Sequence, residues 1–281
     1  MKIKISTDST CDLSREQIRS HDISIIPLAV AMDGKNYHDG VDLSADDIYD
    51  HVSKGGGLPK TAAINILVYE DRFARYLEEY DAVIHVNISA DFSSCYQNAC
   101  IAAKRFQNVF VVDSRNLSTG HGLLVLQAAE LAEQGMAPAE IAAAVQAMTD
   151  RVDASFILDR LDYMKMGGRC SSVTVLSANL LRLKPCIEVK DGKMGVGKKY
   201  RGAFEKCLRD YIADRLSGQE DLMLNRVFIT HSGLSEDLIR LAKDTVRELQ
   251  PFQEICITRA GCTISSHCGP GTIGVLFMRK G

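Results

Sequence analysis

Polar and apolar residues alternate from Lys2 to Ser6, the period of a half-buried strand, and a Thr7-Asp8-Ser9-Thr10 loop follows. Ser14-x-x-Gln17 has the spacing of a capping box and predicts a helix start. Ile23 to Met32 is apolar and β-prone, and Asp33-Gly34 is a tight-turn signal. Ser44-x-x-Asp47 then opens a helix that ends at Gly55-Gly56-Gly57. A helical stretch near 66–80, a buried strand from Ala82 to Ile88, a helix at 93–106 and a strand from Val109 to Val112 continue the alternation. This order predicts a parallel sheet covered by helices. Residues 118–134 and 138–150 are rich in Ala and Leu at helical spacing, and Pro138 suits a first helical turn.

After about residue 154 the pattern changes. Lys184 to Val189 and Met194 to Lys199 flank Asp191-Gly192 as a hairpin, and longer helices then alternate with strands near 225–230, 254–258 and 272–278. The chain therefore reads as α/β with two domains: an N-terminal parallel-sheet domain over 1–154 and a C-terminal α+β domain with a mixed sheet over 155–281. A length of 281 residues suits two domains, and no Pro-rich linker separates them. Domains in direct contact favour a pocket at their junction.

Composition narrows the function. With 33 basic against 36 acidic side chains, the chain lacks the clustered positive charge that nucleic acid requires. Its nine cysteines include no C-x-x-C pair, so neither a disulfide framework nor a zinc site is expected. Met1 to Ile5 lacks the apolar core of a signal peptide, and Ile25 to Met32 is far shorter than the roughly 18 residues of a membrane span. A cytoplasmic protein is expected.

Most catalytic motifs fail on context. Gly269-Pro-Gly-Thr-Ile-Gly274 matches G-x-G-x-x-G, but Val275 to Met278 reads as a strand where a dinucleotide fingerprint needs a helix, and the sequence stops at Gly281. No P-loop is present. Ser93 and His267 are types that serve a hydrolase, yet Ser93 is not in a G-x-S-x-G elbow, and a structural role for His267 is the competing reading. Asp39, Asp42, Asp46 and Asp47 lack the Gly and Glu of a calcium loop and read as a solvated helix start. Gly167-Gly168-Arg169 reads either as an anion-holding turn or as a helix stop before a surface Arg. The loop hydroxyls remain. Thr61 lies where a loop turns into a helical stretch, and Ser93 where a strand ends and a helix begins; free N–H groups at such places favour an anion.

In order along the chain, Thr7-Asp8-Ser9-Thr10, Pro59-Lys60-Thr61, Ser89-x-x-x-Ser93-x-x-Tyr96-x-x-Ala99, Val112-Asp113-Ser114 and Ser118-x-Gly120-x-Gly122 are followed by Lys165-x-Gly167-Gly168-Arg169, Lys184-Pro185 and His267-x-Gly269-Pro270-Gly271. This set resembles the DegV family, which is similar to the fatty-acid-binding subunit of bacterial fatty acid kinase. The resemblance covers the whole chain. It implies paired α/β domains, a long-chain fatty acid with its carboxylate near the domain junction, and an apolar tunnel for the tail. By the same resemblance Thr61 and Ser93 hydrogen-bond the carboxylate, with Ala62 and Ser94 beside them. His267 acts directly or through water, and Arg169 orients the head group or docks a partner. No catalytic residue, metal or cofactor is implied beyond the bound acid. The implied partner is a fatty acid kinase catalytic subunit that phosphorylates the carboxylate with ATP to acyl phosphate, with transient contact to a membrane surface. The chain departs from the family pattern at Ala62-Ala63-Ile64 after Thr61, at Ser94-Cys95-Tyr96 after Ser93, and at Cys170 and Cys186. A sensor for another amphiphile and a Ser/His hydrolase stand as alternatives.

The physics of such a ligand is divided. Each buried methylene contributes about 0.8 kcal/mol, so affinity comes from the tail. The carboxylate must find donors to offset its desolvation; two hydroxyls, backbone N–H groups and a protonated His267 would supply them.

Overall fold

The first strand, β1 (Ile3–Asp8), is followed by a 3-10 turn and by α1 (Arg15–Ser20). The predicted capping box is formed: Ser14 Oγ accepts from Gln17 N, and the Gln17 side chain accepts from Ser14 N. β2 (Ser24–Ile26), β3 (Ala29–Met32) and β4 (Lys35–His38) come next, with Asp33 and Gly34 at φ 51° and 74° in the β3–β4 turn. The Ser44 box starts α2 (Ala45–Ser53). Then follow β5 (Lys60–Ala62), α3 (Ile66–Leu77), β6 (Ala82–Asn87), α4 (Cys95–Ala103), β7 (Val109–Asp113), α5 (Ser118–Glu133) and α6 (Pro138–Met148). The second half comprises β8 (Val152–Ile157), α7 (Asp162–Gly167), α8 (Ser171–Thr174), β9 (Leu183–Lys190), β10 (Lys193–Arg201), α9 (Phe204–Leu216) and β11 (Leu222–Ser232). It ends with α10 (Glu236–Leu249), β12 (Glu254–Arg259), α11 (Cys262–Cys268) and β13 (Thr272–Arg279). This computed structural model describes residues 1–174 and 183–281.

Three sheets result among the described residues. A parallel sheet in the order β2-β1-β6-β7 carries the N-terminal half, with a small antiparallel sheet β4-β3-β5 beside it. The second half holds a mixed sheet, β10-β9-β8-β13-β11-β12, in which only β11 and β12 run parallel. The α/β class and the mixed second sheet agree with the sequence pattern. The pattern did not single out β8, because all six of its residues are buried and no alternation marks it. This strand spans residues 154 and 155, where the sequence divides its two domains.

Helix α5 explains how the halves join. It packs against β1 and β6 on one side and against β8, β11 and β13 on the other, so its residues are buried around nearly the whole circumference. Gly122 permits the closest approach: a Cβ there would lie 2.6 Å from the Cys11 carbonyl oxygen. One apolar core consequently runs through both halves, from Ile5 and Val83 through Leu124 to Phe156 and Leu276. A second core, with Tyr211, Val246 and Phe277, lies on the other face of the mixed sheet under α9 and α10. Among the described residues no helix is long and apolar enough to cross a membrane.

Candidate functional site

The site is organised by α11, a short helix of the second half that is held by the first. Gly261 N donates to Asp12 Oδ1 at 2.8 Å, while Cys262 N and Thr263 N donate to the two oxygens of Asp39 at 2.7 and 3.0 Å. Ser9 Oγ adds a bond to Asp39 at 3.0 Å. Asp39 is thus a buried helix cap, which corrects its reading as part of a solvated acidic cluster; Asp42, Asp46 and Asp47 are exposed as expected. Asp12 is buried beside Asp39 and Asp8. Burial above all, with these neighbouring carboxylates, pushes its carboxyl up to about 8.

At the other end of α11, His267 Nε2 lies 2.8 Å from Thr61 Oγ1. Thr61 stands on β5, paired with Val30 of β3, and not at a helix start. The helix-start expectation fails because α3 begins only at Ile66, where Asn65 caps Val68 N. Ser93 does sit at a helix start: its Oγ accepts from Cys95 N at 3.3 Å. Arg169 follows the left-handed Gly168 that ends α7, and its Nη1 donates to Gly167 O at 2.9 Å.

These residues meet around one cavity. Thr61, Ser93, His267 and Arg169 supply polar groups, and Phe92, Met164 and Met194 supply apolar wall. Ala62 and Arg169, both exposed, mark where the cavity reaches solvent. Ser94 is exposed and does not line it.

Leu117, Ile264 and Cys268 also border a second, inner cavity between α5, α11 and the mixed sheet. Ala154, Phe156, Val189 and Leu276 line it. Its hydroxyls are occupied elsewhere: Ser118 Oγ by Asp12, Thr230 by Thr119 and Thr258, Ser232 by Tyr49 and Ser265, and Thr272 by Cys268 O. Apart from the His231 ring, the wall therefore presents mostly carbon. A hydroxyl-bearing outer compartment and an apolar inner one share these three side chains as lining, an arrangement that suits an amphiphile with one charged end.

Burial, helped by the Arg169 charge, lowers the His267 pKa to about 4, so the imidazole is neutral near pH 7 in the open pocket. The protonated His267 considered above is not what this environment favours. Its Nδ1 has no hydrogen-bond partner among the described residues and faces Gly167, where a Cβ would lie only 2.4 Å away. His267 bonds Thr61, not Ser93, so the hydrolase pairing is not formed, and among the described residues no carboxylate orients the ring. The Cys262 and Cys268 thiols are pushed up to about 12 by burial, which leaves them poor nucleophiles.

Sequence reasoning missed α11 and hence its lining residues Thr263, Ile264 and Cys268, because the Ser265-Ser-His-Cys-Gly-Pro-Gly run reads as a loop. The i, i+4 spacing of Thr263 with His267 and of Ile264 with Cys268 is the signal that would have found them.

A model of the DegV family matches residues 2–280. A DegV domain-containing protein of Clostridium acetobutylicum is 34% identical over 285 residues, covering 99% of each chain. Among solved structures the chain is similar to a fatty-acid-binding DegV family protein of Thermus thermophilus, with a TM-score of 0.90, 29% identity, and coverage of 99% of this chain and 100% of that one. It is also similar to a DegV lipid-binding protein of Thermotoga maritima, with a TM-score of 0.86, 28% identity and full coverage of both chains.

Proposed function

The chain belongs to the DegV family, and on that premise we propose that it is a carrier for one long-chain fatty acid. The carboxylate lies in the outer compartment, accepting from Thr61 and Ser93, with His267 behind Thr61 and Arg169 at the opening. The tail runs past Leu117, Ile264 and Cys268 into the inner cavity. The observation that carries this reading is the adjacency of a hydroxyl-bearing compartment and one walled mostly by carbon, which share Leu117, Ile264 and Cys268. The fatty-acid and lipid binding of the Thermus and Thermotoga proteins supports it.

The carrier presents the carboxylate to the catalytic subunit of a fatty acid kinase. There a carboxylate oxygen attacks the γ-phosphorus of ATP, the bond from that phosphorus to the bridging oxygen breaks, and ADP leaves with the electron pair. The sequence itself has no P-loop, and its hydroxyls are poor general bases, so the chemistry belongs to the partner. Loading and release involve transient contact with a membrane surface, and the setting is cytoplasmic.

Mass spectrometry of an organic extract of the purified protein tests the binding. A long-chain acid at about one per chain is expected. Protein that is ligand-free and also ignores added palmitate would overturn the proposal. Acyl phosphate formed only when the chain, a fatty acid kinase catalytic subunit and ATP are combined would support the second part.

A further inference from the structure

Most hydroxyls around α11 are occupied. Ser265 Oγ donates to Ala260 O at 3.1 Å, and Ser266 Oγ to Cys262 O at 2.7 Å. Thr263 is the exception. The residue is only 5% exposed, it lines the outer cavity, and its Oγ1 has no hydrogen-bond partner among the described residues. An unpaired buried hydroxyl destabilises a fold, and valine has the same shape without that penalty. A hydroxyl kept in such a place is explained by something that enters the cavity.

Its position says what that is. Thr263 lies one turn before His267 on the same face of α11, about 6 Å away along the axis at a rise of ~1.5 Å per residue. The next residue, Ile264, already borders the inner cavity. Thr263 therefore lines the same cavity as the head-group residues, one helical turn from His267. Leu28, Ile88 and Leu117 line the cavity with it and offer only carbon. A hydroxyl group can meet Thr263 as donor or acceptor.

Resting on the fatty-acid reading above, we propose that Thr263 recognises a hydroxyl substituent on the acyl chain a few carbons from its carboxylate, so that the protein prefers a hydroxylated fatty acid to the plain one. One added neutral hydrogen bond corresponds to roughly five- to tenfold tighter binding of the hydroxylated acid.

The test is competitive titration of the full-length protein, stripped of lipid, with β-hydroxypalmitate and palmitate. Wild type is expected to favour the hydroxy acid by that factor, Thr263→Val to lose the preference, and Thr263→Ser to keep it. Equal affinity of wild type for the two acids, or an unchanged ratio in Thr263→Val, would overturn this inference while leaving the carrier reading intact. Failure of wild type to bind either acid would overturn both.

Discussion

Thr61 Oγ1 and His267 Nε2 lie 2.8 Å apart although 206 residues separate them in sequence. A hydroxyl on a strand of the first half and an imidazole on a helix of the second meet beside the cavity opening. When the ring proton is on Nε2, Thr61 accepts it and its own proton is free for an incoming carboxylate. A neutral histidine can thus polarise the hydroxyl without being charged, in keeping with its lowered pKa.

Removing either hydroxyl should tell on binding. Thr61→Ala and Ser93→Ala are each expected to weaken fatty acid binding by about 1–3 kcal/mol through loss of bonds to a charged group. Thr61→Ser should recover most of the loss. Displacement of a fluorescent fatty acid measures this; curves that coincide with wild type for both alanine variants would reject the carboxylate site.

Local signals carried the fold and much of the site into view. The two capping boxes, the Asp33-Gly34 and Asp191-Gly192 turns and Pro138 at a helix start act through adjacent residues, and all are found where the sequence puts them. What was not legible depends on distant partners. β8 lacks alternation because α5 and α9 cover both sides of the mixed sheet. α11 exists as a helix because Asp12 and Asp39, more than 220 residues upstream, cap it. Thr61 and Ser93 were singled out as loop hydroxyls and by resemblance, whereas Thr263 needed the helix first.

The lowered pKa of His267 makes a prediction about acid stability. The unfolded chain takes up this proton near the ordinary value of 6.5, the native chain only near 4. Between these values the unfolded state binds more protons, so this residue's contribution is fully present above pH ~6.5 and is lost as pH falls. His267→Gln removes the effect. Relative to its own value at neutral pH, the variant should retain on the order of 2 kcal/mol more stability at about pH 4 than wild type does. Urea midpoints followed from pH 7 down to that value test it; parallel profiles would mean the ring is not buried neutral.

Asp12 has the opposite sign. Its carboxyl is held up to about 8, whereas the unfolded chain releases that proton near 3.8. Over that interval the native state binds more protons, so the contribution to stability is full below about 3.8 and declines as pH rises toward 8. In Asp12→Asn, the amide oxygen can accept from Gly261 N while the NH₂ donates to Ser118 Oγ, replacing both native bonds. The variant should match wild type near pH 4 and exceed it by an increasing margin up to pH 8. Thermal melts across that range decide it; a variant that is less stable at pH 8 would show that Asp12 works as an anion.

The neighbouring glycines Gly167 and Gly168 should separate binding from stability. A Cβ on Gly167 would fall 2.4 Å from His267 Nδ1, so alanine forces the imidazole to turn away from Thr61. The Gly167 backbone has no positive φ, and alanine is the better helix former, so what the fold loses is confined to the Thr61–His267 bond. Gly168 is the reverse case: its φ is +67° and nothing lies within 4 Å of an added Cβ. Gly168→Ala should therefore cost about 1 kcal/mol of stability from the left-handed backbone and leave affinity near that of wild type. Gly167→Ala should melt close to wild type and bind fatty acid about tenfold more weakly, the loss expected when one charge-assisted bond in the head-group network is misaligned. Paired melting and titration of the two variants measures both effects. If Gly167→Ala bound as tightly as wild type, the position of the His267 ring would be irrelevant to the head group, and the Thr61–His267 bond would be a structural tie between the two halves.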